Sequence, residues 1–268
     1  MIAMATAPGN PARPMEDWAG ATDTAVVVLD GLSAPEGTSC RHGTPWFVRQ
    51  LGPRLLTHAS QPEVTLRQAL AAAIREVAAL HEETCDLSHP ATPSTTVAVA
   101  RRCGDDLQAL VVADSSVVVA TTENVVDVLS DSRVDDAARS ESQAALAAPA
   151  GPERERRVAD LVRVQQRLRN RNGGYWVVQA DPDVADQAVT RTWPIACVRH
   201  VALLTDGATR LVDTFDALSW PGLLDLLASC GPGALIAETR RLEAQDPRAV
   251  RWPRYKRSDD AAVIDWTP

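Results

Sequence analysis

The chain has 268 residues, 45% of them hydrophobic and only 4% aromatic, so one large or two small domains can bury a core built from Val, Leu and Ala. A formal charge of −8 argues against a nucleic-acid-binding surface, and no stretch approaches the roughly 18 to 20 apolar residues of a membrane-spanning helix. Cys40, Cys85, Cys103, Cys197 and Cys230 form an odd set without a C-x-x-C pair, the usage of a reducing compartment rather than of a disulfide scaffold or structural zinc site. With no basic-then-apolar leader at the N-terminus, these features together read as a soluble cytoplasmic protein.

Residues 1–14, punctuated by Pro8, Pro11 and Pro14, predict an irregular N-terminal arm. Met15-Glu16-Asp17-Trp18 then places two adjacent acids ahead of the first clear strand. That strand is Val26-Val27-Val28-Leu29, an apolar run that stops at Asp30-Gly31 and so delivers a carboxylate to a sheet edge. Residues 32–37 read as a loop. Helices are expected over about 44–58 and 65–84, the second with a stripe of Leu66, Leu70, Ile74, Val77 and Leu80. His58, His81 and His89 lie on or beyond these helices without metal-ligand spacing, which assigns them surface or capping roles. Val- and Thr-rich segments at 95–100, 107–113 and 116–122 predict an antiparallel meander with Asp114 at a tight connection.

Residues 131–152 are polar and Ala-rich, consistent with a short helix in a mobile excursion. A charged helix over about 153–170 has six arginines among its residues, a charge run that reads as a solvated face in preference to a phosphate- or acidic-protein-binding one, and ends at Asn172-Gly173-Gly174. A strand is expected at 175–179 and an acidic, helical stretch at 181–192. Val201-Ala202-Leu203-Leu204-Thr205-Asp206-Gly207 repeats the strand-then-Asp-Gly pattern. Helices over 220–228 and 233–245 follow, and Asp259-Asp260 precedes a last strand at 261–265.

Asp-Gly after a strand is, alone, an ordinary turn. Two such strands whose carboxylates meet would instead form an all-oxygen site for a hard cation such as magnesium or manganese. Glu16, Asp30, Asp114, Asp206 and Asp259 each fall at a predicted strand edge, and no G-x-S-x-G elbow or nucleophilic Cys/His arrangement competes with that reading.

In this order the motifs resemble the PP2C-type, metal-dependent serine/threonine protein phosphatases, in particular the compact bacterial members. Met15-Glu16-Asp17 is similar to the family's Glu-Asp element, Val28-Leu29-Asp30-Gly31 to its Asp-Gly element, and Ser94-Thr95-Thr96-Val97 to its Thr-Thr strand. Ala113-Asp114-Ser115 resembles Gly-Asp-Ser, Leu204-Thr205-Asp206-Gly207 the second Asp-Gly, and Ser258-Asp259-Asp260-Ala261 the terminal Asp-Asn/Asp element. The resemblance implies an α+β fold, a four-layer α-β-β-α sandwich with two central, mainly antiparallel sheets, in a single domain over 1–268. It implies two Mg2+ or Mn2+ ions bridged by Asp30, with the Gly31 carbonyl, Asp206 and Asp259 as direct ligands. Glu16 would act through a metal-bound water, and Asp114 with Asp206 would serve a third, weaker position. Asp30 and Asp206 would be the catalytic residues, and a bridging water the nucleophile toward phosphoserine or phosphothreonine in a protein substrate, with residues 131–152 as a flap. A cytoplasmic, monomeric signalling phosphatase without nucleic-acid or membrane partners follows from the same likeness.

The departures are local. The family's phosphate-binding Arg would fall at position 12, which is alanine, and Arg13 is displaced by one place. The Asp30-Gly31-Leu32-Ser33-Ala34 turn has lost two glycines, Leu32 stands where eukaryotic members carry a histidine, and Ala113 and Ala262 replace Gly and Thr. The alternative reading is a catalytically weak or inactive module of the same fold that binds a phosphoprotein or regulatory partner. A third is a structural protein whose acids merely cap turns.

Overall fold

The computed structural model describes residues 1–33 and 40–268 and is a four-layer α+β sandwich. One five-stranded sheet has the order β2 (Trp18–Ala21), β3 (Ala25–Leu32), β4 (Ser94–Cys103), β5 (Asp106–Val112), β8 (Val189–Pro194). The other runs β1 (Ile2–Ala7), β10 (Ala261–Trp266), β9 (Val198–Leu204), β6 (Ser116–Thr121), β7 (Val126–Leu129), and the strand pairings in both are antiparallel.

The unbroken apolar run of β3 follows from its place between two cores. Alternation sends Val26 and Val28 into the space between the sheets, with Ala98, Leu107, Val117, Leu203 and Ile264. Val27 and Leu29 point the other way, under α1 (Gly43–Ala59) and α2 (Leu66–Ala79), where Phe47, Leu51, Leu70 and Ile74 cover them. Strands buried on both faces lose the polar half of their pattern. Each Val or Leu so buried contributes about 1.5–3 kcal/mol of transfer free energy. A capping box at Thr65 and Gln68 starts α2. On the opposite outer face α6 (Asp206–Asp213), α7 (Trp220–Cys230) and α8 (Pro232–Gln245) bury Leu211, Leu223, Leu227 and Leu235 on Val118, Ala202 and Val263.

Several expectations are corrected. Residues 2–7 are not part of an irregular arm but form β1, paired with β10 from Ile2↔Trp266 to Ala7↔Ala261. Alanine carries little strand signal, and the ladder here is supplied by the far end of the chain. The three Val/Thr segments do not make one meander: β4 and β5 pair, but β6 crosses to the other sheet beside β9. The crossing at 113–115 is tight, with Ala113 in the left-handed region at φ 63°. Residues 175–179 form no ladder; Val178 makes an isolated antiparallel bridge to Thr95 and Tyr175 a parallel one to Arg169, and burial of Tyr175 and Val177 accounts for their apolar pattern. The stretch 181–192 is a 3₁₀ turn, Pro182–Gln187, running into the edge strand β8. Within 131–152 lie α3 (Arg133–Ala137) and α4 (Arg139–Ala147), leading into α5 (Pro152–Leu168). Of the loop expected at 32–37, Leu32 ends β3, and residues 34–37 lie outside the described residues. Finally, Cys40, His81 and Cys85 meet in a buried cluster, contrary to the surface or capping role expected for His81.

Candidate metal centre

Asp30 and Gly31 pair with Thr96 and Thr95 of β4, and Thr95 Oγ1 donates to the Asp30 carbonyl at 2.8 Å. The Gly31 N–H donates to the Glu16 carbonyl at 3.1 Å, and a Cβ at position 31 would overlap that carbonyl and lie 2.6 Å from the Thr44 methyl. Only glycine lets the Glu16-Asp17 segment approach the strand end so closely. Asp206 is the first residue of α6, and its N–H points at Asp30 Oδ2, 3.4 Å away. Thr205, just before it, donates to Asp17 Oδ2 at 2.8 Å and accepts the Ala262 N–H at 2.9 Å. Gly207 is equally constrained, since a Cβ there would overlap the Asp260 carbonyl. Asp260 in turn accepts the N–H groups of Gly9 (2.8 Å) and Glu16 (2.6 Å). The two Asp-Gly strand ends and the segment before β10 are thus joined by backbone contacts, not by their carboxylates alone.

Asp30, Asp114, Asp206 and Asp259 open onto one cavity of about 280 Å³, which Val158, Leu161 and Val162 of α5 also line. Glu16 and Arg13 are not in that cavity. They border an adjoining cleft of about 290 Å³ together with Asp260, and Ser33, Lys256 and Asp259 are shared between the two spaces. Arg13 is exposed at the cleft mouth, and Ser33 Oγ donates to Glu16 Oε2 at 2.5 Å.

The electrostatics are those of crowded acids. Burial raises the Asp30 carboxyl well above the usual range, and Asp206, Asp17, Asp259 and Asp114 add to it by repulsion. Burial and the Asp206 charge push Asp114 up to about 7. Asp206 is raised by burial and by Asp259, against the opposing pull of Arg210 and Lys256. Glu16 is raised mainly by burial. Asp206 Oδ1 is buried with no hydrogen-bond partner among the described residues. An orphaned carboxylate oxygen in an all-oxygen cluster with excess negative charge fits a hard divalent cation.

Sequence reasoning missed three participants. Asp17, the neighbour of Glu16, is the buried member of that pair, raised by burial and by the charges of Asp206 and Asp260 while Thr205 binds it. Lys256 places Nζ 2.8 Å from Asp259 Oδ1; burial disfavours its charge, but Asp259, Asp30 and Asp206 outweigh that and raise its pKa. Arg210 is buried between Glu243 (2.6 Å) and Asp259 (3.3 Å), holding the latter from behind. A lysine three residues before an aspartate carries no sequence signal that distinguishes it from a solvated one.

A family model described as protein phosphatase 2C matches residues 16–232. Among solved structures, the chain is similar to the serine/threonine phosphatase Stp1 from Staphylococcus aureus, at 14% identity and a TM-score of 0.61, over 100% of this chain and 94% of that one. It is also similar to the serine/threonine phosphatase PstP/Ppp from Mycobacterium tuberculosis, at 16% identity and a TM-score of 0.59, over 99% and 97%. The catalytic domain of serine threonine protein phosphatase PstP in complex with 2 manganese ions matches at 16% identity and a TM-score of 0.59, over 99% and 96%. No curated protein matches the chain. At these identities the structural likeness speaks for the fold.

Proposed function

The chain belongs to the protein phosphatase 2C family, and on that premise we propose that it is a Mg2+- or Mn2+-dependent hydrolase of phosphoserine and phosphothreonine in proteins. The observation that carries the proposal is the convergence of Asp30, Asp114, Asp206 and Asp259 on one cavity, with Asp206 Oδ1 left unpartnered. Asp30, the Gly31 carbonyl, Asp206 and Asp259 would hold two ions, Glu16 would act through a water, and Asp114 with Asp206 would serve a third. A pair of divalent cations, when bound, supplies hydroxide near neutral pH and neutralises charge on the phosphoryl group.

The chain's own groups do the rest. Arg13, with Lys256 between the cleft and the cavity, binds and orients the phosphate monoester. Thr205 and the Asp260 contacts fix the two Asp-Gly elements against each other, so the carboxylates are placed before substrate arrives. Apolar side chains of α5 limit water over the site, and residues 131–152 ahead of it act as the substrate-selecting flap. The reading extends to a single-domain, monomeric, cytoplasmic signalling enzyme with a phosphoprotein as partner and no nucleic acid.

Hydrolysis of p-nitrophenyl phosphate and of a phosphothreonine peptide, measured with manganese, with EDTA and with Asp30→Asn, tests it. Manganese-dependent turnover lost in both controls is expected. Calorimetric metal binding without turnover on either substrate would favour the second reading, a phosphoprotein-binding module. Lys256 in the acid cluster and the displaced Arg13 are the features that give that reading its footing.

A further inference from the structure

A second set of ligand-type side chains lies away from the carboxylate centre. Cys40 precedes α1, whereas His81 and Cys85 follow α2, and the three are 3%, 1% and 9% exposed. Cys40 Sγ is 3.4 Å from Cys85 Sγ and 3.5 Å from His81 Nδ1, and all three ligand atoms lie within 4.8 Å of one another. A tetrahedron with Zn–S of about 2.3 Å and Zn–N of about 2.0 Å requires S···S near 3.8 Å and S···N near 3.5 Å. A disulfide would need roughly 2.0 Å between the sulfurs, well short of the 3.4 Å that separates Cys40 from Cys85.

We propose that Cys40, His81 and Cys85 bind one zinc-type ion that clips the start of α1 to the end of α2. Two thiolates and an imidazole are the donors that a soft-to-borderline divalent metal prefers over the oxygen-seeking ions of the carboxylate centre. Burial and the neighbouring Cys85 thiol raise the Cys40 thiol against the backbone amides of His42 and Gly43, whereas Cys85 is lowered, the Arg41 amide, the Cys40 and Thr84 side chains and the Arg41 charge outweighing its burial. His81 Nε2 is buried with no hydrogen-bond partner among the described residues, while Nδ1 faces Cys40 Sγ, so the ring presents one nitrogen to the sulfur pair. Trp46 packs 5.0 Å from the His81 ring, and His42 stacks on Trp46 at 4.3 Å. The fourth position falls to water or to His42, whose ring centroid is 6.0 Å from that of His81.

The clip differs from a disulfide in its consequence. A pair of thiols at this separation could oxidise, whereas a bound metal holds them reduced and resists alkylation. Cys197 and Cys230 are exposed and serve as internal references for reactivity.

The test uses the full chain carrying Asp30→Asn, so that the carboxylate centre is weakened, titrated with cobalt(II) as a spectroscopic stand-in for zinc. Saturation near one equivalent is expected, with thiolate-to-cobalt charge transfer and intense tetrahedral d–d bands. Cys40→Ser and Cys85→Ser should each abolish the charge transfer, and zinc should displace cobalt. Because either variant could fail to fold, alkylation of the unmutated protein provides a second arm. Zinc should slow modification of Cys40 and Cys85 at least tenfold while leaving Cys197 and Cys230 unchanged. Absence of a thiolate band in the folded protein, a band that survives both substitutions, equal protection of all cysteines, or a Cys40–Cys85 disulfide in the isolated metal-free protein would each overturn the proposal.

Discussion

Lys256 Nζ donates to Asp259 Oδ1 at 2.8 Å, which places an ammonium on the wall of the cavity that also holds the carboxylates of Asp30 and Asp206. An internal cation of this kind offsets part of the acid cluster's charge and therefore competes with any divalent ion drawn to it. Its side chain is 49% exposed, so solvent screens the effect. Lys256→Gln should tighten manganese binding by about three- to tenfold, measured by calorimetry. If Lys256 also contacts the phosphate, KM for p-nitrophenyl phosphate should rise in the same variant while kcat changes little. Unchanged or weaker manganese binding would sink the competition argument.

A pH effect on stability follows from the same cluster. Carboxyls whose pKa values are raised on folding, as for Asp30, Asp114, Asp206 and Asp17, bind protons more tightly folded than unfolded. Their stabilising contribution is complete below the ordinary value of 3.8 and is lost as pH rises through the folded value, which for Asp114 is about 7. Asp246 works in the other direction: burial opposes its charge, but the Trp252, Val250 and Arg251 amides and Arg254 hold it down to about 2, so its contribution is lost on acidification. Without metal, Tm should therefore fall by about 5 °C or more between about pH 5 and pH 8. Saturating manganese should remove that fall. A flat metal-free profile by calorimetry over this range would contradict the carboxylate pKa assignments.

The main strand and its acid were readable from residues 26–31 because burial on both faces erases alternation while the Asp-Gly stop marks the sheet edge. Asp206-Gly207 was readable for the same reason, although the helix that Asp206 begins was not, since strand and helix meet there without a loop. What pattern could not reveal depends on pairings between distant segments. β1 gains its partner from the last strand, β6 leaves the hairpin for the other sheet, and Cys40 finds Cys85 across an intervening pair of helices. Lys256 and Asp17 were missed because a charge beside another charge reads as solvated until its neighbours are known.

The crossing between the sheets makes its own prediction. Ala113 holds φ 63° while it is 2% exposed, and Asp131 donates its N–H to the Ala113 carbonyl at 3.1 Å. A β-branched side chain is poorly tolerated in this left-handed conformation. Ala113→Val should cost about 2 kcal/mol or more in urea unfolding, whereas Ala113→Gly should be within about 1 kcal/mol of the parent. Because Asp114 is the next residue, the valine variant should also weaken occupancy of any third metal position. Equal stability for valine and glycine would show that the backbone relaxes there without penalty.

The last prediction separates positioning from bulk stability. Arg210 donates to Glu243 Oε1 at 2.6 Å and to Asp259 Oδ2 at 3.3 Å, while Arg240 donates to Glu243 Oε2 at 2.9 Å and to the Asp259 carbonyl at 2.6 Å. Glu243 is 1% exposed, so removing one cation leaves a buried carboxylate poorly compensated. Arg210→Met should cost about 3 kcal/mol of stability. Adding Glu243→Gln to Arg210→Met should recover a sizeable part of that loss, because the uncompensated charge has gone. The recovery should not extend to manganese binding, since Asp259 still lacks the guanidinium that orients it. A double variant with restored stability but manganese affinity still reduced would identify Arg210 as a positioning residue for Asp259. If affinity returned along with stability, the role of Arg210 would be that of a fold-stabilising partner of Glu243 alone.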